Sequence, residues 1–234
     1  MITGTRNPAP DGTQLATAWQ TASLLLDYPD DGLLGRRPLL RRAAATLPAE
    51  LGEPLGRFLD HVDATPLPEL AADYVATFDH RKRCCLYLTY YACGDTRKRG
   101  VALLRFKHAY HRAGLVLGDD ELPDHLAVVL EFAAADPTAG ARLLNEHRAG
   151  LELLRLALAE SRSPWAAVLD AVSATLPRLS GDIQDAVLRL AAEGPPEEEV
   201  GLAPYGASSG GPVFLPDPRP SRPPSRPDTQ GAHR

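Results

Sequence analysis

The chain has 234 residues, 44% of them hydrophobic, and a formal net charge of −5. This suffices for one helical domain that buries roughly 70% of its unfolded surface, and the negative charge argues against a protein that mainly coats nucleic acid or anionic lipid. The sequence has no run of about 18 apolar residues and no export-signal pattern, so we predict no membrane span and a cytoplasmic location.

The N-terminal part predicts a leader followed by three helices. Residues 1–12 show no periodic apolar pattern and are expected to form a flexible leader. The first helix is predicted to begin with Thr13 as its cap and to end before Pro29. Apolar spacing then predicts one helix after Pro38 and another after Pro48.

Residues 68–113 are dense in aromatic and basic side chains and predict two or three helices. Gly94 reads as a helix C-cap, and Asp95 and Thr96 read as candidates for the next N-cap. The last of these helices is predicted to end at Gly114 and to carry one stripe of residues at helical spacing: Val101, Leu104, His108 and His111.

Three prolines in the C-terminal half stand where first-turn prolines occur, so we expect helices to begin at Pro123, Pro137 and Pro164. A final helix is predicted over Asp182–Glu193. No segment alternates apolar and polar residues for long enough to require a strand. The sequence therefore predicts an all-α fold, a single-domain helical bundle over residues 13–193.

The composition changes at Gly194. Ten of the 22 prolines lie between Gly194 and Arg234, together with Ser, Gly and Arg. Such a segment buries too little apolar surface to offset the entropy lost on ordering. Residues 194–234 are therefore expected to form a disordered tail.

Sequence motifs for nucleotide and metal chemistry are weak. Neither a phosphate-binding loop nor a dinucleotide-binding glycine motif occurs. His80, Cys84, Cys85 and Cys93 contain no C-x-x-C pair, and adjacent cysteines on a helix point about 100° apart. We predict buried thiols, no metal and no cofactor, and keep a metal- or cofactor-carrying protein that uses His80, Cys84, Cys85 and His125 as an alternative.

Nine Lys or Arg residues lie between Asp79 and Arg112, with Asp79 and Asp95 as the acids of that segment. A nucleic-acid interface would need a recognition helix, and the sequence lacks a helix-turn-helix pattern. We predict a solvated basic face, or one that pairs with the acids of residues 119–124, and no nucleic acid partner.

The stretch DDELPDHL, residues 119–126, has two interpretations. Its acids and Pro123 suit the first turn of a helix. Alternatively, Asp119, Asp120, Glu121 and Asp124 form an acidic rim beside an apolar cleft, with His125 as a polar contact for an arginine-containing peptide.

Three segments in order, YVATFD (Tyr74–Asp79), LYLTYYACGDTRKRG (Leu86–Gly100) and ELPDHL (Glu121–Leu126), resemble the NarJ-type family of nitrate reductase assembly chaperones. The resemblance runs from about Thr13 to Tyr205. This family belongs to the wider group of redox-enzyme maturation chaperones that recognise twin-arginine leaders.

The resemblance implies a cytoplasmic, all-helical protein that is not an enzyme. It implies binding to the N-terminal segment of the apo catalytic (alpha) subunit of nitrate reductase, which permits insertion of the molybdenum cofactor before membrane assembly. Proteins of molybdenum cofactor biosynthesis are further expected partners. A helical adaptor subunit retained in a redox complex is the other alternative.

In the wider group a Y-x-x-L-F element and an E-x-P-D-H element line the leader-binding cleft. Here they map onto Tyr74–Phe78 and Glu121–His125, with Thr77 in place of the leucine. Aromatic rings supply burial and stacking, and Arg97 either pairs with the acidic loop or contacts the client. The predicted client-binding residues are Tyr74, Phe78, Tyr87, Tyr90, Arg97, Glu121, Pro123, Asp124 and His125.

Overall fold

The computed structural model of the chain describes residues 10–94, 96–118 and 121–194. These ranges contain eleven α-helices: α1 (Gly12–Leu26), α2 (Asp31–Ala45), α3 (Ala49–Ala64), α4 (Leu67–Phe78), α5 (Leu88–Cys93), α6 (Lys98–Arg112), α7 (Leu126–Ala135), α8 (Pro137–Glu146), α9 (Arg148–Glu160), α10 (Ala166–Ala174) and α11 (Gly181–Glu193). One 3-10 turn covers Lys82–Cys84, and the described residues form no strand. The all-α prediction is confirmed.

The predicted leader and tail fall mostly outside the described residues. Helix α1 begins at Gly12, and its N-cap is Asp11 rather than the predicted Thr13. Asp11 accepts the backbone N–H of Gln14, whose side chain accepts the backbone N–H of Asp11 in return. This reciprocal capping box satisfies two backbone donors, and it places the helix cap two residues closer to the N-terminus than predicted. At the other end of the domain, Gly194 has φ +76° and ends α11.

Pro38 lies inside α2, so the prediction that a helix begins after it is wrong. The true N-cap is Asp30, whose side chain accepts the backbone N–H of Leu33 at 2.8 Å. A proline within a helix leaves the carbonyl four residues earlier without its usual donor. That carbonyl belongs to Leu34, and the Arg37 Nε donates to it at 3.1 Å.

Of the three prolines predicted to begin helices, Pro137 does so, with Asp136 as a side-chain cap. The other two predictions are wrong. Pro164 lies in a turn before α10, and Pro123 precedes α7 by three residues. Residues Asp124 to Leu126 instead pair through their backbones with Leu86 to Leu88, and α7 begins at Leu126.

The core is built around α1, which packs against α7, α10, α2 and α3. Trp19 of α1 and Trp165 before α10 are fully buried, and Phe58 of α3 lies 5.4 Å from Trp165 between ring centroids. The Trp165 indole N–H donates to the Leu25 carbonyl at 3.2 Å, which is one of the carbonyls that the end of α1 leaves unpaired. The core thus fixes the C-terminal end of α1.

Helix α5 is short and is held in place by α9. A Cβ atom at Gly150 would lie 2.7 Å from the Tyr91 Cβ, so only glycine lets the two helices approach this closely. The Tyr91 hydroxyl lies 2.9 Å from the Cys85 carbonyl and 3.1 Å from the Arg83 carbonyl. Tyr91 therefore anchors both α5 and the segment that leads into it.

Candidate functional site

The segment before α5 and the segment before α7 form the centre of the site. Tyr87 and His125 form an isolated antiparallel bridge. The Leu126 N–H donates to the Leu86 carbonyl at 2.8 Å, and the Leu88 N–H donates to the Asp124 carbonyl at 3.0 Å. Two regions that carry the sequence motifs are therefore joined through their backbones.

Asp124 lies beneath this bridge and is completely buried. Its Oδ2 accepts the Thr89 hydroxyl at 2.5 Å and the Thr89 backbone N–H at 3.2 Å. Thr89 is the second residue of α5, whose first-turn N–H groups have no partners within the helix. Asp124 thus caps α5 from a different segment, and no side-chain cap comes from the helix's own N-cap residue, Tyr87.

Arg99 of α6 completes the surroundings of this carboxylate. Its Nη2 lies 3.7 Å from the Asp124 Oδ2, and its Nε donates to the Thr89 hydroxyl at 3.2 Å. Its guanidinium carbon lies 5.4 Å from the centroid of the Tyr87 ring, within the range of a cation–π contact. One arginine therefore connects the buried acid to a half-buried aromatic ring.

Tyr87 and His125 lie closer to the surface than the buried Asp124. Both are half-buried, and their rings meet edge to face at 5.2 Å. Burial lowers the pKa of His125, and the carboxylates of Asp27, Asp124 and Glu121 partly oppose this by favouring the charged form. The imidazole is therefore favoured in its neutral form.

Tyr74 and Phe78 lie in the core rather than on an open cleft, with 7% and 8% of their surfaces exposed. The Tyr74 hydroxyl donates to the Leu26 carbonyl at 3.0 Å. Both rings pack on Trp165, at 5.7 and 5.4 Å between centroids. The exposed ring in this cluster is that of Tyr28, which meets Tyr74 edge to face at 5.6 Å.

Acidic groups converge on this cluster from two directions. Burial raises the pKa of Tyr74, and the nearby Asp27 and Asp79 carboxylates raise it further. Asp27 also acts on the pKa of His125, and Asp79 acts on that of Tyr87. We call the resulting set the aromatic–acidic surface: Asp27, Tyr28, Asp79, Tyr87 and His125.

The predicted acidic rim is therefore corrected. Asp124 is buried and structural, whereas Glu121 is exposed, and Asp119 and Asp120 lie outside the described residues. Pro123 is buried, and its carbonyl accepts the Tyr110 hydroxyl at 2.5 Å. The carboxylates near the rings come mainly from the ends of α1 and α4.

Two further predicted residues lie apart from this surface. Tyr90 is half-buried and meets the neighbouring Tyr91 ring at 5.9 Å. Arg97 is exposed and is the N-cap residue of α6, so Thr96 is not that cap. The Thr96 hydroxyl donates instead to the Cys93 carbonyl at 2.7 Å. Asp95 lies outside the described residues, and the arginine that reaches Asp124 is Arg99.

Sequence reasoning missed Asp27, Tyr28, Thr89 and Arg99 as site residues. Asp27 and Tyr28 fall at the end of the predicted first helix, and nothing in the local sequence links them to His125. Thr89 and Arg99 belong to the LYLTYYACGDTRKRG segment, so the family resemblance pointed to their region. A buried carboxylate requires hydrogen-bond donors nearby, so the acid in the ELPDHL motif could have prompted a search for donors such as Thr89 and Arg99.

The described residues also bear on three other possibilities, namely a metal site, a reactive thiol and a membrane-spanning helix. In that part of the chain, no three His, Cys, Asp or Glu side chains form a group able to hold a metal ion. Cys84 is buried, and burial raises the pKa of its thiol. None of the helices in the described ranges has the length and apolar character needed to cross a bilayer.

Comparison with known proteins gives a consistent result. Residues 44–171 match the nitrate reductase delta subunit family. The chain is 32% identical over 167 residues to the NarJ protein of Bacillus subtilis strain 168, which covers 70% of this chain and 90% of that protein. It is 33% identical over 152 residues to the nitrate reductase molybdenum cofactor assembly chaperone NarJ of Escherichia coli K12, covering 63% of this chain and 64% of that protein.

Two further likenesses involve a longer protein and a solved structure. The chain is 39% identical over 176 residues to the nitrate reductase-like protein NarX of Mycobacterium tuberculosis H37Rv, and the match spans only 26% of that relative's length. A crystal structure from Archaeoglobus fulgidus, described as a redox enzyme maturation protein, superimposes with a TM-score of 0.51 at 23% identity. The superposition covers 74% of this chain and 97% of that one. This structural likeness supports the fold.

Proposed function

The chain belongs to the nitrate reductase delta subunit family, whose members are assembly chaperones rather than enzymes, and from this we propose that its client is the apo catalytic subunit of a nitrate reductase. The chaperone would bind the N-terminal segment of that subunit and permit insertion of the molybdenum cofactor before membrane assembly. The protein itself would act in the cytoplasm, bind no cofactor and leave the finished enzyme.

The observation that carries this proposal is the aromatic–acidic surface. Tyr28 is 52% exposed, and the half-buried rings of Tyr87 and His125 lie in contact with each other. Exposed rings bind apolar side chains of a peptide at a small cost in side-chain entropy. The adjacent carboxylates of Asp27 and Asp79 favour a peptide that also carries basic residues.

The buried residues of the two motifs support this surface from below. Asp124 fixes the start of α5, and Arg99 lies against the Tyr87 ring. Tyr74 supports the exposed ring of Tyr28 and is itself tied to the end of α1. A rigid support of this kind lowers the entropy lost when a peptide binds. The motif residues would therefore act mainly by positioning the rings that contact the client.

The test is a calorimetric titration of the full chain with a synthetic peptide of the N-terminal residues of the nitrate reductase catalytic subunit from the same organism. We expect Tyr28→Ala and His125→Ala each to weaken binding by about 1–2 kcal/mol, as for peripheral members of a binding site. Asp27→Asn should weaken binding less at high ionic strength than at low, because salt screens an exposed carboxylate.

A matched control is Glu160→Gln, which removes one exposed carboxylate from α9 and should leave the affinity unchanged. Each variant is also compared with the unmodified chain by circular dichroism and urea unfolding. Unchanged affinity in Tyr28→Ala, Asp27→Asn and His125→Ala together would contradict this site. Stoichiometric retention of the chain in the purified mature enzyme would favour the adaptor alternative.

A further inference from the structure

Helix α6 carries an exposed seam on its outer side. Val101 and Leu104 are 63% and 53% exposed, and His108 and His111 continue the same stripe one and two turns further on. Leu115, just after the helix, extends it. The successive spacings are three, four, three and four residues, which is the a/d spacing of a heptad repeat.

The seam is not needed to attach α6 to the protein. The buried side chains of α6 are Phe106 and Tyr110, and both project from the opposite side of the helix. Phe106 packs on His147, and Tyr110 packs on Phe132. Arg99, which contacts the aromatic–acidic surface, also lies on the inner side. The seam is therefore a second surface, distinct from the proposed client site.

The flanks of the seam are basic on both sides. With Val101 at position a, the e positions hold Lys98, Arg105 and Arg112, and a g position holds Lys107. All four are exposed, and no acidic residue occurs anywhere in α6. The whole chain has a net charge of −5, so this cluster of positive charge is a property of α6 and not of the protein as a whole. Residues at e and g select partners by charge, so these four favour Glu and Asp on an opposing helix.

Apolar hollows continue the seam at the C-terminal end of α6. One hollow of about 380 Å³ is lined by Leu104, His108, His111 and Leu115, and also by Val116, which is 90% exposed. A second hollow, of about 260 Å³, shares Leu115 and Val116 with the first and is also lined by Val128 and Phe132 of α7, with Glu121 and Glu131 as its acidic members. Such hollows have the size needed to accept apolar side chains of a helix laid along α6.

We propose that the outer face of α6 binds an amphipathic helix of a partner protein whose apolar stripe is flanked by acidic residues. The charge pattern disfavours two other occupants. A second copy of this chain would place basic flanks against basic flanks, and a leader peptide rich in arginine would be repelled. The partner helix is therefore a different protein segment from the one proposed for the aromatic–acidic surface.

The test uses a synthetic helical peptide of about three heptads with Leu at a and d and Glu at e and g, and a twin with Lys in place of Glu. Like charges at e and g keep each peptide from pairing with itself. Binding to the full chain is measured by fluorescence anisotropy. We expect the acidic peptide to bind at least about tenfold more tightly, because four ion pairs become four like-charge pairs in the twin.

Three variants sharpen the test. Leu104→Asp should weaken binding of the acidic peptide about tenfold or more, because it places a charge in the seam. Leu188→Asp makes the same change at a 67% exposed leucine of α11 and should leave binding within about twofold, as expected of an unrelated surface site. The double variant Arg105→Glu, Lys107→Glu should shift the preference toward the lysine twin.

Several results would overturn the proposal. Equal affinity for the two peptides would contradict the charge selectivity. An equal loss of affinity in Leu188→Asp and Leu104→Asp would contradict binding at the outer face of α6. Self-association of the chain that Leu104→Asp abolishes would assign the seam to a second copy. Binding to phosphatidylglycerol vesicles that depends on Leu104, without selective peptide binding, would assign it to a lipid surface.

Discussion

Asp124 and Thr89 lie 35 residues apart in the sequence and are joined by two hydrogen bonds, from the Thr89 hydroxyl and from its backbone N–H. The acid therefore serves as the N-terminal cap of a helix to which it does not belong. Because Asp124 is fully buried and Arg99 approaches it at 3.7 Å, the carboxylate also balances a positive charge. The motif that contains Asp124 thus holds α5, α6 and the start of α7 together.

Asp124→Ala is expected to lower the free energy of unfolding by about 2–4 kcal/mol. The change leaves the Thr89 N–H without its acceptor and leaves Arg99 beside an uncharged cavity. Asp124→Asn should cost less, because an amide oxygen still accepts from Thr89. Urea unfolding followed by circular dichroism measures both.

The control for this prediction is Glu121→Ala, three residues away in the same motif and exposed. Its effect on unfolding should stay within about 0.5 kcal/mol, as for most surface substitutions. If Asp124→Ala were as stable as Glu121→Ala, the capping role of Asp124 would be wrong. Weaker client binding by Asp124→Ala should accompany its loss of stability.

Two half-buried histidines should make the free energy of unfolding decrease as the pH decreases. Burial lowers the pKa of both His125 and His147, so each takes up a proton more readily in the unfolded chain. Where the unfolded state binds more protons, stability rises with pH. Stability should therefore be full above about pH 6.5, the pKa of a free imidazole, and fall as the pH decreases from there toward the lower folded-state values.

Urea midpoints measured at pH 7.5 and 5.5 would test this dependence. In His125→Gln, His147→Gln the fall between the two pH values should be smaller than in the unmodified chain. His108→Gln, at an exposed position of α6, should retain the full fall. An unchanged fall in the double variant would assign the acid sensitivity to other groups.

The fold class followed directly from the sequence, because apolar residues recur at helical spacing over most of the described chain. Gly94 and Gly114 were predicted to follow helices, and their φ values of +57° and +76° explain why glycine occurs there. Apart from the caps predicted at Thr13 and Thr96, the errors in helix starts arose at prolines. Pro38 is accommodated because the Arg37 side chain replaces the missing backbone donor. The residues that follow Pro123 pair with a distant segment, which the local sequence does not reveal.

The site was located less completely than the fold. The family motifs identified Tyr87, Asp124 and His125, which the structure brings together. They did not indicate that Asp124 faces inward, because burial depends on Thr89 and Arg99 from other helices. The aromatic pattern likewise placed Tyr74 and Phe78 on one helical face, and the packing of Trp165 made that face part of the core.

A buried ion network between α9 and α10 should be a major determinant of stability. Glu152 is 1% exposed and lies 2.8 Å from Arg148, 2.7 Å from Arg155 and 2.6 Å from the Ser173 hydroxyl. Glu152→Ala leaves Arg148, which is 4% exposed, as an uncompensated buried charge. The expected loss is about 3–5 kcal/mol of unfolding free energy.

The comparison for Glu152→Ala is an ion pair on the surface of the neighbouring helix. Arg142 and Glu146 of α8 lie 3.5 Å apart, and both are exposed. Glu146→Ala should change the unfolding free energy by less than about 0.5 kcal/mol, because solvent screens the pair. Similar effects of the two substitutions in urea unfolding would contradict the role assigned to Glu152.

Two Gly→Ala substitutions should have opposite signs. At Gly150 the added methyl would lie 2.7 Å from Tyr91, so α9 must move away from α5, at a cost of about 1–3 kcal/mol. Gly35 of α2 is exposed with no atom within 4 Å of the added Cβ, so Gly35→Ala should stabilise by about 0.5–1 kcal/mol through helix propensity. Thermal unfolding of both variants measures the difference. Because Tyr91 anchors the segment that carries Tyr87, Gly150→Ala should also weaken client binding, whereas Gly35→Ala should leave the affinity unchanged. If both substitutions stabilised the protein, the close approach of α5 and α9 would be wrong.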